Sequence, residues 1–416
     1  MYMWFGNLHF EGAISGEAQL HINELKLSQS AFGRSYVLKG FIKDFKGVNG
    51  QKMRHLPFSL YIPKKLQVPL ANKDYKVFGK LQKGSFYGYS LKVDREARFI
   101  PIPKTFSLAQ KRYEIKKRFK NFLKKKIPFK NARLLLVGMS TGDFQDTYLS
   151  FTFSRFGLSH LLAISGFHFA VLALFLNFFL KVFPMKVRLI SLAALLTAFY
   201  FFIGYGPSLQ RAWIVALVYI WGSYQERLLT SVNVLSLSMI LVLVLNPLML
   251  FNMGFQFSFG ITFAILLFYQ PILKGLFFLV QKRSQIDTWI LNAVALGLAV
   301  HLVALPLSLF HFHKFYWIGF VFNLWMPLLV SFFLFGFMGL LIVCPLLNGV
   351  ANYGFYVLGY VVEKVMQFIF WVPTSFDDCL RVPYFPDWLI INYLFLLMLL
   401  GSFTQKKKVE LKFKLF

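Results

Sequence analysis

The chain has 416 residues, 57% of them hydrophobic and only 15% charged, with a mean hydropathy of +0.57. Soluble domains are about 45–50% apolar and about 25% charged. This composition excludes a disordered or collagen-like chain, disfavours an ordinary soluble enzyme and points to membrane spans. The net charge of +28 is uneven: residues 1–133 hold 28 Lys and Arg against 8 Asp and Glu, the remainder 17 against 9. That asymmetry reads as a basic, water-exposed N-terminal domain ahead of a membrane body. Such a domain suits a polyanion (nucleic acid, anionic lipid or acidic glycan), or is a solubilising surface. Cys344 and Cys379 stand far apart and form neither a zinc spacing nor a disulfide framework.

Residues 1–104 read as a small β domain. Tyr36-Val-Leu-Lys-Gly-Phe-Ile-Lys, Phe58-Ser-Leu-Tyr-Ile, Tyr75-Lys-Val-Phe-Gly-Lys-Leu and Tyr87-Gly-Tyr-Ser-Leu-Lys-Val alternate polar and apolar residues between turn-forming clusters. Several short strands in so few residues predict a sandwich or barrel, of which the OB-fold is one that binds oligonucleotides. Cations interleave with aromatics: Lys39, Phe41, Lys43, Phe45 and Lys46, then Lys83, Phe86, Tyr87, Tyr89 and Lys92. Cations for phosphates and rings for bases are the chemistry of single-strand binding. Any half-buried strand of a basic protein shows the same alternation. Residues 105–133 change character: apolar residues at 115, 119, 122/123 and 127 predict a helix with a cationic opposite face, lying on anionic headgroups or beside a nucleic-acid strand.

From 134 to 403 apolar runs follow one another: 160–183, 187–205, 208–224, 230–248, 254–273, 287–310, 316–344, 350–372 and 387–403. The expectation is a polytopic all-α membrane domain of about nine spans, then a basic tail over 404–416. The seventh and eighth runs contain Pro or Gly and are candidates for tilting or breaking. Lys181, Lys186, Arg188, Arg227, Lys274, Lys282, Arg283 and Lys406–Lys408 fall on one side of a nine-span arrangement, which places the C-terminus in the cytoplasm and the N-terminal domain outside. Export then needs a signal, and Met1–Phe10 is too short to be one, so a hydrophobic segment upstream of Met1 is expected.

Polar residues at membrane depth are candidate site residues. Ser165 and His168 are three apart and share a helix face, with His160 about 80° round on helical spacing. Arg211 opens the third span, where it guides phosphates inward or snorkels to headgroups. Gln256 and Ser258 line a path or make ordinary interhelical hydrogen bonds. His301 stands within the sixth span, and His311-Phe-His313 falls in a loop. No zinc-protease or phosphate-loop motif occurs, so neither metal nor ATPase chemistry is expected.

Phe156-Gly-Leu-Ser-His160-Leu-Leu-Ala-Ile-Ser165-Gly-Phe-His168 resembles the GxxHLLAISGxH signature of ComEC-type competence proteins, the inner-membrane channels for imported DNA. Leu134-Leu-Leu-Val-Gly138, Pro207-Ser-Leu-Gln-Arg211-Ala, Asn246-Pro-Leu, Gly254-Phe-Gln256-Phe-Ser258-Phe, Leu305-Pro306-Leu and Phe320-Val-Phe-Asn323-Leu-Trp-Met-Pro327 agree in order. The resemblance covers 134–340, and 30–95, where the family carries an OB-like domain outside the membrane. It implies a non-enzymatic, multi-pass bacterial inner-membrane channel passing single-stranded DNA into the cytoplasm, without cofactors. His160, Ser165, Gly166, His168, Arg211, Gln256 and Ser258 would line or shape the pore. Lys39, Lys43, Lys83, Phe86, Tyr87 and Lys92 would hold the strand outside. The implied partners are single-stranded DNA, membrane lipids, a cytoplasmic helicase or motor, a periplasmic DNA-binding protein and a second copy in a homodimer. Two departures stand out: the β-lactamase-like domain that ends many family members is lacking, so nuclease activity is not carried over, and the hydrophobic helices usual ahead of the OB-like domain are lacking too. Two other functions fit the composition: a transporter or flippase for an anionic lipid-linked substrate, and an intramembrane enzyme using His160 and His168 as acid and base.

Overall fold

The computed structural model describes residues 12–30, 33–63, 68–83, 89–94, 98–144, 146–162, 166–204, 206–227, 229–280, 284–373 and 379–405. Contacts divide the chain into two units. The first is Met1–Lys126 with Asp143–Thr147 and Phe201–Tyr205; the second is Ile127–Gly142, Tyr148–Tyr200 and Gly206–Phe416.

The first unit is a curled sheet of β1 (Ala13–Ser30), β2 (Gly33–Gly47), β3 (Lys52–Pro63), β4 (Tyr75–Lys83), β5 (Tyr89–Lys92) and β6 (Ile100–Pro101). β1 pairs antiparallel with β2 along one edge and with β4 along the other, from Ala13↔Gln82 to Leu20↔Tyr75. β2 pairs with β3, β3 runs parallel to β5, and β5 returns to β4. The circuit β1-β2-β3-β5-β4-β1 therefore closes. Register shifts place one extra residue on each strand of this pair, Lys43 on β2 and Asn23 on β1, and such bulges bend and twist the ladder as it curls. Inward positions alternate as a two-residue period requires, and Leu20, Ile22, Leu38, Ile42, Phe45, Leu60 and Leu81 are fully buried.

Three of the four expected strands fall within β2, β3 and β4; the fourth, 87–93, overlaps β5, with 87 and 88 outside the described residues, and β1 and β6 are additional. The β1–β2 ladder leaves no room at Gly40, which pairs with Ile22 beside the Asn23 bulge and where a Cβ would lie 1.9 Å from the His21 carbonyl oxygen. Gly40→Ala is expected to cost the first unit about 1–3 kcal/mol, because the β1–β2 backbones must separate. A fall in its resistance to limited proteolysis checks this.

Helix α1 (Ala109–Lys126) completes the unit and matches the helix expected there. Its face is rotated from the expectation. Leu123 is buried, but Ile115 is 53% exposed and Lys116 only 4%. Ser107 fixes the start of the helix by donating to the Ile22 carbonyl, and the Ser107 amide donates to Asn72 O at 2.8 Å.

The second unit is helical. It holds α2 (Lys130–Thr141), α3 (Thr147–Arg155), α4 (Ser159–Leu162), α5 (Gly166–Leu180), α6 (Met185–Ile203), α7 (Pro207–Tyr224), α8 (Ser231–Leu245), α9 (Met253–Leu279), α10 (Gln285–Phe312), α11 (Ile318–Val343), α12 (Asn348–Trp371) and α13 (Asp387–Gln405). β7 (Lys314–Tyr316) and β8 (Cys379–Arg381) pair beside them.

Each of the nine expected apolar runs coincides with a helix, the first as two pieces. Among the described residues four helices are long and apolar enough to cross a membrane: α6, α9, α10 and α11. Gly166–Leu180, Ser231–Leu245 and Trp388–Gly401 are apolar but shorter. α11 and α12 each run as one helix, so the Pro and Gly in the seventh and eighth runs do not break them. Glu363 on α12 accepts from the Ala132 amide at 2.9 Å and from Asn131 Nδ2 at 2.8 Å, satisfying the first turn of α2 with a carboxylate.

Candidate functional site

The polar residues of the second unit form distinct groups. Asn252 caps α9 by accepting from the Gly254 amide at 2.9 Å. One turn further in, Ser258 and Thr262 stand four apart, and Thr262 Oγ1 donates to the Ser258 carbonyl at 2.8 Å. Arg211, in the second turn of α7, reaches this point. Its Nη1 donates to Ser258 O at 2.9 Å and to Thr262 Oγ1, and its guanidinium lies 5.6 Å from the Phe259 ring centroid. Nε is buried without a hydrogen-bond partner, and no carboxylate among the described residues pairs with this cation.

Gly166, the first residue of α5, completes the group: a Cβ there would lie 2.5 Å from Arg211 Nη2. Glycine is needed because α5 starts against a guanidinium that is already pinned from the other side. Gly166, Arg211 and Ser258, three expected site residues, are therefore brought together, with Thr262 and Phe259 as partners. No side-chain pattern marked Thr262, because its contact on α9 is with the residue-258 backbone carbonyl, which any residue would supply.

Gln256 lies elsewhere. Its Oε1 accepts from His311 Nε2 at 2.7 Å and its Nε2 donates to Leu250 O at 3.0 Å, joining the start of α9 to the end of α10. His311 and Phe312 close α10 and His313 is its left-handed cap (φ 56°), so only His313 of this trio lies beyond the helix, against the expectation of a loop. His168 is buried on α5, whereas His160 is exposed on α4 with Nδ1 3.3 Å from the Gly157 carbonyl. Residues 163–165, Ser165 among them, lie between the two histidines and fall outside the described residues. His301 Nδ1 is 2.7 Å from Gly297 O, and its ring is flanked by Phe315 and Phe320. A cavity of about 300 Å³ lies between α6 and α7, but its walls (Leu189, Ile190, Ala193, Leu217, Ile220, Trp221 and Tyr224) include none of these polar residues.

In the first unit Lys39, Lys83 and Lys92 stand exposed on β2, β4 and β5. Lys43 is differently placed: its ammonium is 2.7 Å from buried Asp74, which also meets His21 Nδ1 at 2.6 Å. Phe86 and Tyr87 lie outside the described residues.

Sequence reasoning missed an ionic cluster in this unit. Asp143 meets Lys120 at 3.0 Å, Lys116 at 3.5 Å and Lys26 at 3.7 Å, while Glu24 meets Lys26 at 2.8 Å. Lys116 Nζ also donates to Ile203 O at 2.7 Å. Arg112 donates to Phe201 O at 2.6 Å and to Asn23 O at 2.8 Å. Burial pushes the Lys116 ammonium down to about 8, against the opposing pull of Asp143. Burial disfavours the Asp143 carboxylate, yet Lys116, Lys120 and Lys26 together hold it below its ordinary range. Only the four-residue spacing of Lys116 and Lys120 on one helix face hinted at this. Among the described residues no group of three or more His, Cys, Asp or Glu is placed to hold a metal.

Comparison with known proteins gives one family, described as competence protein, whose pattern matches residues 140–407. ComE operon protein 3 of Bacillus subtilis (strain 168) is 31% identical over 212 residues. That alignment covers 48% of this chain and 25% of the relative, so the chain matches about a quarter of the relative's length. No solved structure matches the chain.

Proposed function

The chain belongs to the competence protein family, and from that premise we propose that it takes part in DNA uptake by conducting single-stranded DNA across the bacterial inner membrane into the cytoplasm. A single strand carries a charge at every nucleotide and cannot enter hydrocarbon, so it needs a hydrated cationic path with surfaces for its bases. The observation that carries this reading is Arg211: a cation set among apolar helices, held by a carbonyl, a hydroxyl and a ring, with no carboxylate paired to it among the described residues. An uncompensated charge is expensive at membrane depth and is retained where an anion passes or binds. In this reading Gly166 and Ser258 position Arg211 along the path, and His160, Ser165, His168 and Gln256 shape it.

The first unit takes the OB-type role outside the membrane, a reading supported by the closed five-strand circuit with β3 parallel to β5. Lys39, Lys83, Phe86, Tyr87 and Lys92 would meet the strand there, with Lys43 restrained by Asp74. The driving force comes from a cytoplasmic helicase or motor, delivery from a periplasmic DNA-binding protein, and a homodimer is compatible with the reading.

The test is uptake of fluorescent DNA by recipient cells deleted for their own copy and complemented with this chain. Labelled DNA reaching the cytoplasm only in complemented cells is expected. Equal entry without any copy would overturn the channel and favour transport of an anionic lipid-linked substrate.

A further inference from the structure

The register of β4 and β5 creates an outer face of which the reading above uses only Lys83 and Lys92. Along β4, Tyr75, Val77 and Leu81 point into the core, so Lys76, Phe78, Lys80 and Gln82 point out. β5 turns Ser90 and Lys92 outward between buried Tyr89 and Leu91. Lys80 pairs directly with Lys92 on one side and with Ser15 of β1 on the other. Two like charges directly opposite each other destabilise an antiparallel sheet. On this face Lys76 pairs with Glu17 at 3.8 Å, but neither Lys80 nor Lys92 has an ion-pair partner among the described residues. Phe78 lies between Lys76 and Lys80 along the strand and is 56% exposed. More than half of this ring's surface is thus left open on a face whose other outward residues in register are Lys76, Lys80, Lys92, Glu17, Ser15 and Ile100.

We propose that this face is a contact for a single DNA strand, with Phe78 stacking on a base and Lys80 and Lys92 holding the neighbouring phosphates. The assignment rests on the DNA-conducting reading and adds to it a face and two residues, Phe78 and Lys80, that no motif marks. A ring with cations two positions along the strand and diagonally across it matches the alternation of base and phosphate, and stacking tolerates any base because every base has a π-face. An anionic bilayer would instead select a broad apolar face bordered by cations. Here the ring has Glu17 directly opposite and Ser15 and Gln19 diagonally across on β1, and the apolar neighbour in register on its other side is one aliphatic residue, Ile100 opposite Lys76, which is not a broad apolar face.

The experiment uses the full chain in nanodiscs of zwitterionic lipid, titrated against labelled oligothymidine and followed by fluorescence anisotropy. Phe78→Ala is expected to raise Kd about 5- to 150-fold, the loss of one stacked base, and Phe78→Trp to preserve binding. The double variant Lys80→Ala/Lys92→Ala is expected to flatten the slope of log Kd against log salt by about 1.4, at about 0.7 per phosphate of a single strand. If both variants bind as tightly as the unsubstituted chain, with the same salt slope, this face is not the contact, although the DNA reading stands. If the unsubstituted chain fails to bind oligothymidine at low salt, both fall. If the variants keep oligothymidine but lose binding to vesicles containing phosphatidylglycerol, the face is a lipid contact and the proposal is overturned.

Discussion

Arg211→Ala is expected to reduce DNA uptake by at least about a hundredfold without removing the protein from the membrane. The guanidinium joins three helices: it donates to the Ser258 carbonyl and Thr262 on α9, lies over the Phe259 ring, and abuts Gly166 at the start of α5. Its two hydrogen bonds are charge-assisted and worth about 1.5–3 kcal/mol each. At about 1.4 kcal/mol per tenfold, losing both shifts the assembled arrangement by that factor. The carbonyl left behind is not orphaned, because Thr262 still donates to it, so the loss falls on the arrangement more than on folding. Arg211→Lys keeps the charge but cannot reproduce the planar fork, and is expected to retain only part of the uptake. The measurement is transformation frequency at matched membrane abundance. Unchanged uptake in Arg211→Ala would remove this residue from the path.

Asp143→Asn is expected to destabilise the first unit by about 3–5 kcal/mol, the usual cost of removing one partner from a buried ion pair. The carboxylate serves Lys26, Lys116 and Lys120 together. Without it Lys116, 4% exposed, keeps only the Ile203 carbonyl and stays close to two other ammonium groups. The apparent unfolding temperature should fall, and Lys116→Met in the Asp143→Asn background should recover part of the loss by removing the stranded cation.

The pH dependence follows from the same contacts. Lys116 in the folded chain titrates at about 8, below its ordinary 10.5. Between those values the unfolded state binds more protons, so stability contributed by this group rises with pH from about 8 to about 10.5. Asp143 is shifted downward, so its contribution is present above its ordinary 3.8 and is lost as pH falls through the lower folded value. Unfolding temperatures from pH 7.5 to 9.5 should therefore climb, and in Asp143→Asn the climb should begin at lower pH, because the remaining ammonium groups depress Lys116 further. A flat profile in both proteins would mean that Lys116 is not buried as a charged group.

Strands β2 to β5 were legible because alternation at a two-residue period survives in short runs such as Tyr36–Lys43 and Tyr75–Leu81. β1 was not. Its inward positions do alternate, at 14, 16, 18, 20 and 22, but Gly16 and Ala18 occupy two of them and carry little apolar signal, and the bulge at Asn23 brings Glu24 and Leu25 inward side by side. The apolar helices were legible from apolar runs alone, yet helix faces were not. A stripe at 115, 119 and 122/123 implied an inward Ile115, but α1 turns Lys116 in instead, because Asp143 and the Ile203 carbonyl, distant in sequence, satisfy its charge.

The site divides the same way. Arg211 was legible as a rare cation in an apolar context, and Gly166 as part of a distinctive string. Their meeting was not, because it depends on how α5, α7 and α9 pack. Lys43 and Lys39 read alike along β2, and only the fold sends Asp74 to Lys43 while leaving Lys39 open to water.

Composition, charge asymmetry and hydrophobic period determined by themselves that this protein joins a basic β unit to a bundle of apolar helices, because burial of apolar surface at a fixed backbone repeat is a local property of the chain. Which cations are neutralised and which stand free for a polyanion was decided only by the tertiary structure. A charge's energy depends on partners and exposure a few ångströms away, and those are set by residues tens or hundreds of positions apart.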